Sequence, residues 1–317
     1  MRPAALLLLA LLACGKDEGD AATDDTAGGG GDGEPDGPVL ADLATPSGPC
    51  PDLSTPGTST FLSGGIERTV TVALPDPLPA NAPVIFFWHG LSNSGGSRGP
   101  GELTASSLGV DDLAQELGAI FVLPDSRVME IYSFSFYMWE VFGQDELDLI
   151  LFDDLRSCLV TEVGADPARM ASMGFSGGAL FETVLLGARA DTLSAVVEFS
   201  GGANVENAAL PGPLSTYGTP AWEIPVLLTS GGESDAWPNP SLTLVDFTAA
   251  TDSLQAALVA DQSFLVRCLH SRGHTITNDL FTFGLDWAMA GQFGEPSPYE
   301  AQGIGAMEGD CTVVAAE

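Results

Sequence analysis

The sequence predicts an α/β fold in which a mostly parallel central sheet is covered by helices on both faces. The first observation is that short β-like runs alternate with helical patterns along the chain, which produces right-handed crossovers between parallel strands. The second is that the runs PVIFFW and IPVLLT are continuously apolar, as expected for strands buried on both faces. The predicted strands span residues 68–74, 83–88, 119–123, 169–175, 195–199, 224–229 and 263–269, and the predicted helices span residues 109–117, 146–163, 176–189 and 246–260.

The N-terminus is typical of an export signal. Arg2 precedes an apolar run over residues 4–13, which is too short to cross a bilayer as a helix. The sequence LLAC that ends at Cys14 resembles the lipobox of bacterial lipoproteins, in which the signal is cut before the cysteine and the cysteine is acylated. We therefore predict a lipoprotein signal peptide over residues 1–13, lipidation of Cys14 and attachment to a bacterial membrane. An ordinary secretory signal, which would make the protein extracellular, is the alternative.

A Gly-, Asp- and Glu-rich segment follows the signal. Residues 14–49 contain few large apolar side chains, as in DEGDAATDDTAGGGGDGEPDGP. Such a segment cannot bury enough apolar surface to offset the entropy of ordering its backbone, so we predict a disordered tether. The remaining residues, 50–317, are long enough for one large α/β domain.

The charge of the chain restricts its partners. It carries 43 acidic and 10 basic residues, and its formal net charge is −33. A nucleic acid or an anionic membrane surface would be repelled, and the basic residues are too sparse to form a groove that follows phosphates. We therefore predict no nucleic-acid partner, and membrane contact through the lipid anchor alone.

Four cysteines remain if Cys14 is lipidated, and an even number in an exported chain favours disulfides. Three pairings are possible. Proximity in sequence favours Cys268 with Cys311, which leaves Cys50 with Cys158. The clustered C-x-x-C spacing of a zinc site is absent from the sequence, and we predict no metal.

The predicted strand 83–88 runs directly into His89-Gly90-Leu91. A histidine at the end of a strand can serve as a base, or it can hold a neighbouring loop by side-chain hydrogen bonds. We expect His89 to hold this loop and to border the substrate, and we retain a role as a second base as the alternative.

An aromatic run, IYSFSFYMWEVF, occupies residues 131–142 after the strand 119–123. It lies on the side where sheets of this kind bind ligands, so it could form a wall for a hydrophobic acyl group. Tyr137 and Trp139 are the expected contacts, and Trp237 is a further candidate. Core packing of the same side chains is the alternative, and the sequence favours neither.

A G-x-S-x-G pattern centred on Ser176 joins the predicted strand RMASMGF to the predicted helix ALFETVLLGAR. A nucleophile on such a turn has a strained backbone, which Gly174 and Gly178 would permit because they lack side chains. The helix start also directs the N–H of Gly177 towards the place where an oxyanion forms. A second copy of the pattern surrounds Ser97, but it lies in a loop without a strand to hold it, so we predict that Ser176 is the nucleophile.

An acid and a base follow Ser176 in the sequence. Asp235 comes shortly after the predicted strand 224–229, and His270 and His274 follow the predicted strand 263–269. The order Ser, Asp, His is the one found in α/β-hydrolases. The two histidines are four residues apart, a spacing that could suit a metal on a helix, but Gly273 indicates a loop and H-E-x-x-H is absent from the sequence.

Four stretches in the same order carry a family resemblance: FFWHGLSNSGG, FDDLRSCLVTEVGADPARMASMGFSGGAL, SGGESDAW and CLHSRGHTI. They span most of residues 83–276. The sequence resembles α/β-hydrolases of the group that contains polyhydroxybutyrate depolymerases and secreted feruloyl or acetylxylan esterases. The G-H-T signature of that group falls on residues 273–275, which implies His274 as the base, with His270 as the alternative. The acid loop of the group commonly carries a histidine in the region where this sequence has Ser230.

The resemblance implies ester hydrolysis through an acyl-enzyme. In this scheme His274 takes the proton of Ser176, Asp235 orients the histidine, and Gly90 or Leu91 supplies a second oxyanion donor. The expected substrate is a carboxylic ester, such as a feruloyl or acetyl ester of plant polysaccharide or a polyhydroxyalkanoate, and it can be polymeric. We expect a monomer without a cofactor. A catalytically silent binding protein on the same fold is the main alternative, and a peptidase is a further one.

Overall fold

The computed structural model describes residues 37–131, 134–307 and 310–314, and it confirms the predicted fold class. Runs such as VIFFW and IFVLP form strands that are buried along their whole length, because β-branched and aromatic side chains fit a sheet that is covered on both faces. The strands are β1 (Gly57–Ser63), β2 (Ile66–Ala73), β3 (Val84–Trp88), β4 (Ser92–Asn93), β5 (Ile120–Pro124), β6 (Arg127–Ile131), β7 (Phe134–Met138), β8 (Met170–Phe175), β9 (Ala195–Phe199), β10 (Val226–Ser230), β11 (Ala236–Asn239), β12 (Leu242–Asp246), β13 (Leu265–Leu269) and β14 (Cys311–Val314).

Within the described residues, the main sheet has nine strands in the order β1-β2-β5-β3-β8-β9-β10-β13-β14. The strands from β5 to β13 in this order run parallel, and the outer pairs β1–β2, β2–β5 and β13–β14 are antiparallel. Strands β4, β7 and β6 form a small second sheet, and β11 and β12 form a hairpin. These additions follow β3, β5 and β10 in the chain, so they begin at the carboxyl edge of the parallel strands, where sheets of this kind bind ligands.

Helices cover the sheet on both faces. Side chains along β3 alternate between the two cores: Phe86 and Trp88 belong to one, and Ile85 and Phe87 belong to the other. The helices are α1 (Pro100–Leu108), α2 (Val110–Leu117), α3 (Leu147–Cys158), α4 (Gly177–Arg189), α5 (Phe247–Ala260), α6 (Asn278–Ala290) and α7 (Pro298–Gln302). The first core includes residues of α3, α4 and α5, and the second includes residues of α1, α2 and α6. In the part of the chain that the structure describes, each helix is too short or too polar to span a membrane.

The predicted strands and helices are present, with ends that differ by at most two residues. One difference lies in the predicted helix 146–163, which is α3 followed by a π-helical turn over Leu159–Val163. The helices α1, α6 and α7 were not predicted. The sequence also did not predict the strands β1 and β14 or the two small sheets. Their half-exposed or very short runs lack the apolar continuity that identifies a buried strand.

The folded part begins earlier than the predicted boundary at residue 50. The Arg156 guanidinium on α3 donates hydrogen bonds to the carbonyl oxygens of Ala41 (2.8 Å) and Asp42 (3.1 Å). Ser47 donates to the Asp154 carboxylate from both its N–H (2.8 Å) and its hydroxyl (2.5 Å). These long-range bonds correct the tether prediction for this stretch, because charged side chains of α3 hold its backbone. The predicted signal peptide, Cys14 and the rest of the tether up to residue 36 lie outside the described residues.

The structure contains disulfides between Cys268 and Cys311 and between Cys50 and Cys158, the pairing that proximity in sequence favours. The first joins β13 to the edge strand β14. The second joins the N-terminal segment to the end of α3. Each disulfide therefore attaches a peripheral segment to an element of the buried core.

Candidate active site

Ser176 lies on the sharp turn between β8 and α4. Its backbone is in a strained conformation, with φ 57° and ψ −120°, and its hydroxyl contacts His274 instead of capping the helix. A Cβ atom on Gly178 would overlap the carbonyl oxygen of Trp88, and one on Gly174 would lie 2.7 Å from the Glu182 carboxylate. The glycines on either side of the serine therefore have no space for a side chain.

A chain of hydrogen bonds connects Ser176, His274 and Asp235. The His274 Nε2 atom lies 2.8 Å from the Ser176 hydroxyl, and its Nδ1 atom lies 2.7 Å from Oδ1 of Asp235. A carboxylate can only accept, so Nδ1 carries the proton and Nε2 is left to accept the proton of the serine. This arrangement allows a serine hydroxyl to act as a nucleophile.

Asp235 is buried and held by further hydrogen bonds. Its Oδ2 atom accepts from the Ser200 hydroxyl at 2.8 Å and from the Gly231 N–H at 2.6 Å. Burial acts to raise the pKa of Asp235, but the hydrogen bonds from His274, Gly231 and Ser200 outweigh it and hold the pKa below its ordinary value. The carboxylate is therefore ionised at neutral pH and can stabilise a protonated histidine.

The imidazole of His274 is enclosed by two phenyl rings. The ring of Phe247 lies 4.3 Å from it at an interplanar angle of 16°, and the ring of Phe175 lies 4.9 Å from it at 27°. Two rings cannot occupy the same face at these distances, so they stack on opposite faces. They set the plane of the imidazole, while Asp235 sets its rotation within that plane.

His89 holds the loop that follows β3. The Ser126 N–H donates to His89 Nε2 at 3.0 Å, so Nδ1 carries the proton and donates to the Gly90 carbonyl at 2.6 Å. Burial lowers the pKa of His89 to about 4, so the ring is neutral. These two hydrogen bonds connect His89 to the loop that follows β3 and to the chain after β5. His89 is only 3 % exposed and is not among the residues that line the cavity beside Ser176, so the structure does not bring it to the place where we expect the substrate.

The same hydrogen bond orients the adjacent peptide. In a trans peptide the C=O and the next N–H point in opposite directions, so fixing the Gly90 carbonyl on His89 turns the Leu91 N–H away from it. The Leu91 nitrogen lies 3.3 Å from the position that a Cβ atom on Gly177 would occupy. Of the two predicted loop donors, this geometry favours Leu91 over Gly90 as the partner of Gly177.

An apolar cavity opens beside Ser176, and both Trp139 and Trp237 line it. Trp139 also packs in the core, with its ring 5.2 Å from that of Phe181. Tyr137 does not line this cavity, because neighbouring residues of a strand point to opposite faces and Met138 takes the inner position. Tyr137 instead lines a separate cavity beside Arg68, Asp125 and Arg127.

The alternative residues are not part of this hydrogen-bond chain. Ser97 is exposed in a turn, and His270 accepts a hydrogen bond from the Arg272 N–H at 3.2 Å. Within the described residues there is no cluster of three or more side chains that could bind a metal.

Several residues of the site were not predicted. Ser200 is one of them, and it follows a buried strand and has a positive φ. Its sequence context, FSGG, is the same run of small residues that surrounds Ser176. That signal was available in the sequence. The stacking role of Phe247 had no sequence signal, because the first residue of an amphipathic helix gives no indication of a ring contact with a distant loop.

Comparison with solved structures agrees with this architecture. The chain is similar to native pOPH, a PHB depolymerase, with a TM-score of 0.65 and 17% identity over 84% of this chain and 97% of that chain. It is also similar to a ferulic acid esterase, with a TM-score of 0.53 and 14% identity over 73% of this chain and 95% of that chain. A third similar structure is an S-formylglutathione hydrolase from Agrobacterium tumefaciens, with a TM-score of 0.50 and 17% identity over 76% of this chain and 98% of that chain.

No protein-family model matches the chain, and no curated protein matches it in sequence. At these low identities the structural similarity establishes the fold. The protein has the α/β-hydrolase fold.

Proposed function

We propose that the protein is a carboxylic ester hydrolase that works through a covalent acyl-enzyme on Ser176. The observation that carries this proposal is the continuous hydrogen-bond chain from Asp235 through His274 to Ser176. Ser176 itself lies on a strained turn at the carboxyl edge of the sheet. The fold that the chain shares with ester hydrolases is consistent with the proposal.

In the proposed mechanism, His274 Nε2 takes the proton of Ser176 while the serine oxygen attacks the ester carbonyl. The N–H groups of Gly177 and Leu91 stabilise the oxyanion of the tetrahedral intermediate. The protonated His274, stabilised by Asp235, then gives its proton to the leaving alcohol. A water molecule repeats these steps on the acyl-enzyme and releases the carboxylic acid, which restores the serine.

The proposal includes export and a lipid anchor. The two disulfides support folding in an oxidising compartment, and the LLAC sequence at Cys14 supports lipidation on a bacterial membrane. The substrate is an ester that the anchored domain meets outside the cytoplasm, and it can be polymeric. The protein acts as a monomer without a cofactor.

Labelling with a fluorophosphonate probe tests the proposal, because the probe reacts with activated serines. We expect the purified protein to be labelled and Ser176→Ala and His274→Ala to lose the label. Ser97→Ala is the matched control, since it removes the serine of the second G-x-S-x-G copy, and it should be labelled like the wild type. A folded wild-type protein that takes no label would overturn the proposal and favour a catalytically silent binding protein.

A further inference from the structure

The cavity beside Ser176 is small and apolar. Its volume is about 70 Å³, and among the described residues that line it only Ser176 and Gly177 are not large apolar residues. The walls come from distant parts of the chain and include Trp139, Val141, Leu180, Leu214 and Val245. Each of these five side chains is at most 5 % exposed, so this part of the wall belongs to the packed core and has little freedom to move.

Two side-chain polar groups at this cavity already have partners. The Ser176 hydroxyl contacts His274, and the indole N–H of Trp139 donates to the His89 carbonyl at 2.8 Å. The exposed surface of the cavity is almost entirely apolar, so a hydroxyl, amide or carboxylate placed against these walls would lose most of its hydrogen bonds to water. The cavity selects for a hydrocarbon group.

The position of the cavity relative to the reacting atoms identifies which part of the ester it would hold. The leaving alcohol takes its proton from His274 Nε2, so it lies on the histidine side, and the side chain of His274 is 22 % exposed to solvent. Leu91 and Gly177, whose N–H groups would hold the carbonyl oxygen, line the cavity. The group that stays bonded to the carbonyl carbon, the acyl chain, therefore points into the cavity.

The volume limits the length of that chain. A water molecule needs roughly 10–15 Å³ of cavity volume, so about 70 Å³ accommodates about five non-hydrogen atoms in a row. Longer chains and an aromatic acyl group with ring substituents exceed this space.

We propose that this cavity is an acyl-binding site for a short, unsubstituted hydrocarbon chain of about four to six carbons. The inference rests on the proposed function of Ser176. Such a cavity would favour simple short-chain esters over two of the ester classes considered above, the hydroxyacyl polyesters and the feruloyl esters.

A series of p-nitrophenyl esters from acetyl to decanoyl tests the length, because the leaving group stays constant. We expect kcat/KM to be highest between butanoyl and hexanoyl and to be at least about tenfold lower for decanoyl. Ethyl butanoate and ethyl 3-hydroxybutanoate test the polarity, and we expect the hydroxyl to lower kcat/KM by about 100-fold. A maximum at decanoyl, or equal rates for the two ethyl esters, would overturn the inference.

Variants of the cavity wall provide a test within the protein. Leu214→Ala should move the optimum to longer chains, and Val245→Phe should move it towards acetyl. Leu185→Ala is the matched control, because Leu185 is fully buried on α4 but does not line the cavity, so its optimum should stay unchanged. Opposite shifts in the first two variants cannot arise from partial unfolding. Unchanged optima in both would contradict the inference.

The probe labelling separates this inference from the proposed function. If Ser176 takes the fluorophosphonate label but the protein prefers long or hydroxylated acyl chains, the proposed function stands and the inference about the acyl site is overturned. A protein that takes no label and hydrolyses none of the esters would overturn both.

Discussion

Two buried carboxyl groups near the turn at Ser176 take no part in the proposed chemistry. Glu182 on α4 accepts a hydrogen bond from the Ser172 hydroxyl at 2.7 Å, and Glu198 on β9 accepts one from the Thr183 hydroxyl at 2.9 Å. Burial raises the pKa of Glu198 to about 8. Burial and the nearby charge of Glu198 raise the pKa of Glu182 well above its ordinary value. Glu198 therefore holds a proton in the folded protein near pH 7.

We predict that Glu198→Gln weakens the pH dependence of stability. Between pH 4.5 and about 8 the folded protein keeps a proton on Glu198 that the unfolded chain loses, so the free energy of unfolding falls as pH rises. This one group contributes a slope of up to about 1.4 kcal/mol per pH unit, which the neutral glutamine abolishes. Urea unfolding at pH 5, 6, 7 and 8 measures the slope.

Glu206→Gln is the control for this experiment, because Glu206 is an exposed carboxylate. It should leave the pH dependence of the unfolding free energy as in the wild type. A Glu198→Gln variant with the wild-type slope would show that the buried glutamate is already ionised in the folded protein.

At the scale of elements, the two disulfides serve different parts of the molecule. The bond between Cys268 and Cys311 attaches β14 to β13, the strand that leads into the loop of His274. The bond between Cys50 and Cys158 attaches the N-terminal segment to α3. The first therefore supports an element of the candidate active site, and the second supports the periphery of the fold.

We predict that removing each disulfide has a different effect on activity. Each pair of Cys→Ser substitutions should lower the free energy of unfolding by about 2–5 kcal/mol. The Cys268→Ser/Cys311→Ser variant should also lower kcat several-fold, because β14 no longer holds the histidine loop. The Cys50→Ser/Cys158→Ser variant should keep the wild-type kcat and acts as the matched control. Assays of p-nitrophenyl butanoate hydrolysis at a temperature where both variants are folded measure the difference, and equal losses of kcat would contradict the prediction.

The elements at the carboxyl edge determine the shape of the pocket. The chain around β7 supplies Met138 and Trp139, and the β11–β12 hairpin supplies Trp237 and Val245. These strands are short and irregular, and their inward positions depend on how the hairpins fold back over the sheet. Pocket residues are therefore harder to predict than the strands of the central sheet.

The whole molecule has a strong excess of negative charge. Its formal net charge is −33, and Lys16 is the only lysine in the sequence. The described arginines Arg68, Arg127 and Arg189 are already engaged in ion pairs with buried or half-buried carboxylates. Repulsion among the remaining carboxylates therefore opposes the compact state.

We predict that salt stabilises the folded protein. Raising sodium chloride from 0.01 M to 1 M shortens the screening length from about 30 Å to about 3 Å, which weakens the repulsion. At pH 7 we expect the Tm to rise by several degrees, or about 2–4 °C for each 1 kcal/mol gained. The same titration at pH 4.5 is the control, because partly protonated carboxylates should reduce the gain. A Tm that does not change or falls with salt at pH 7 would contradict the prediction.

The sequence by itself determined the alternation of strands and helices, the tight strand-to-helix turn at Ser176, and the positions of Asp235 and the two histidines after buried strands. These features depend on local patterns, because apolar runs and small residues specify strands and tight turns through near neighbours. Proximity along the chain was also enough to favour the observed pairing of the cysteines.

Only the tertiary structure decided which histidine meets Ser176, which peptide N–H faces Gly177, and which aromatic residues line the cavity. His274 and Ser176 are 98 positions apart, so their contact depends on how two loops pack at the edge of the sheet. The contacts of the two phenyl rings with the His274 imidazole, and of Arg156 with the Ala41 carbonyl, also depend on how distant segments pack together. Such contacts join residues that are distant in sequence, and no periodicity within a single segment encodes them.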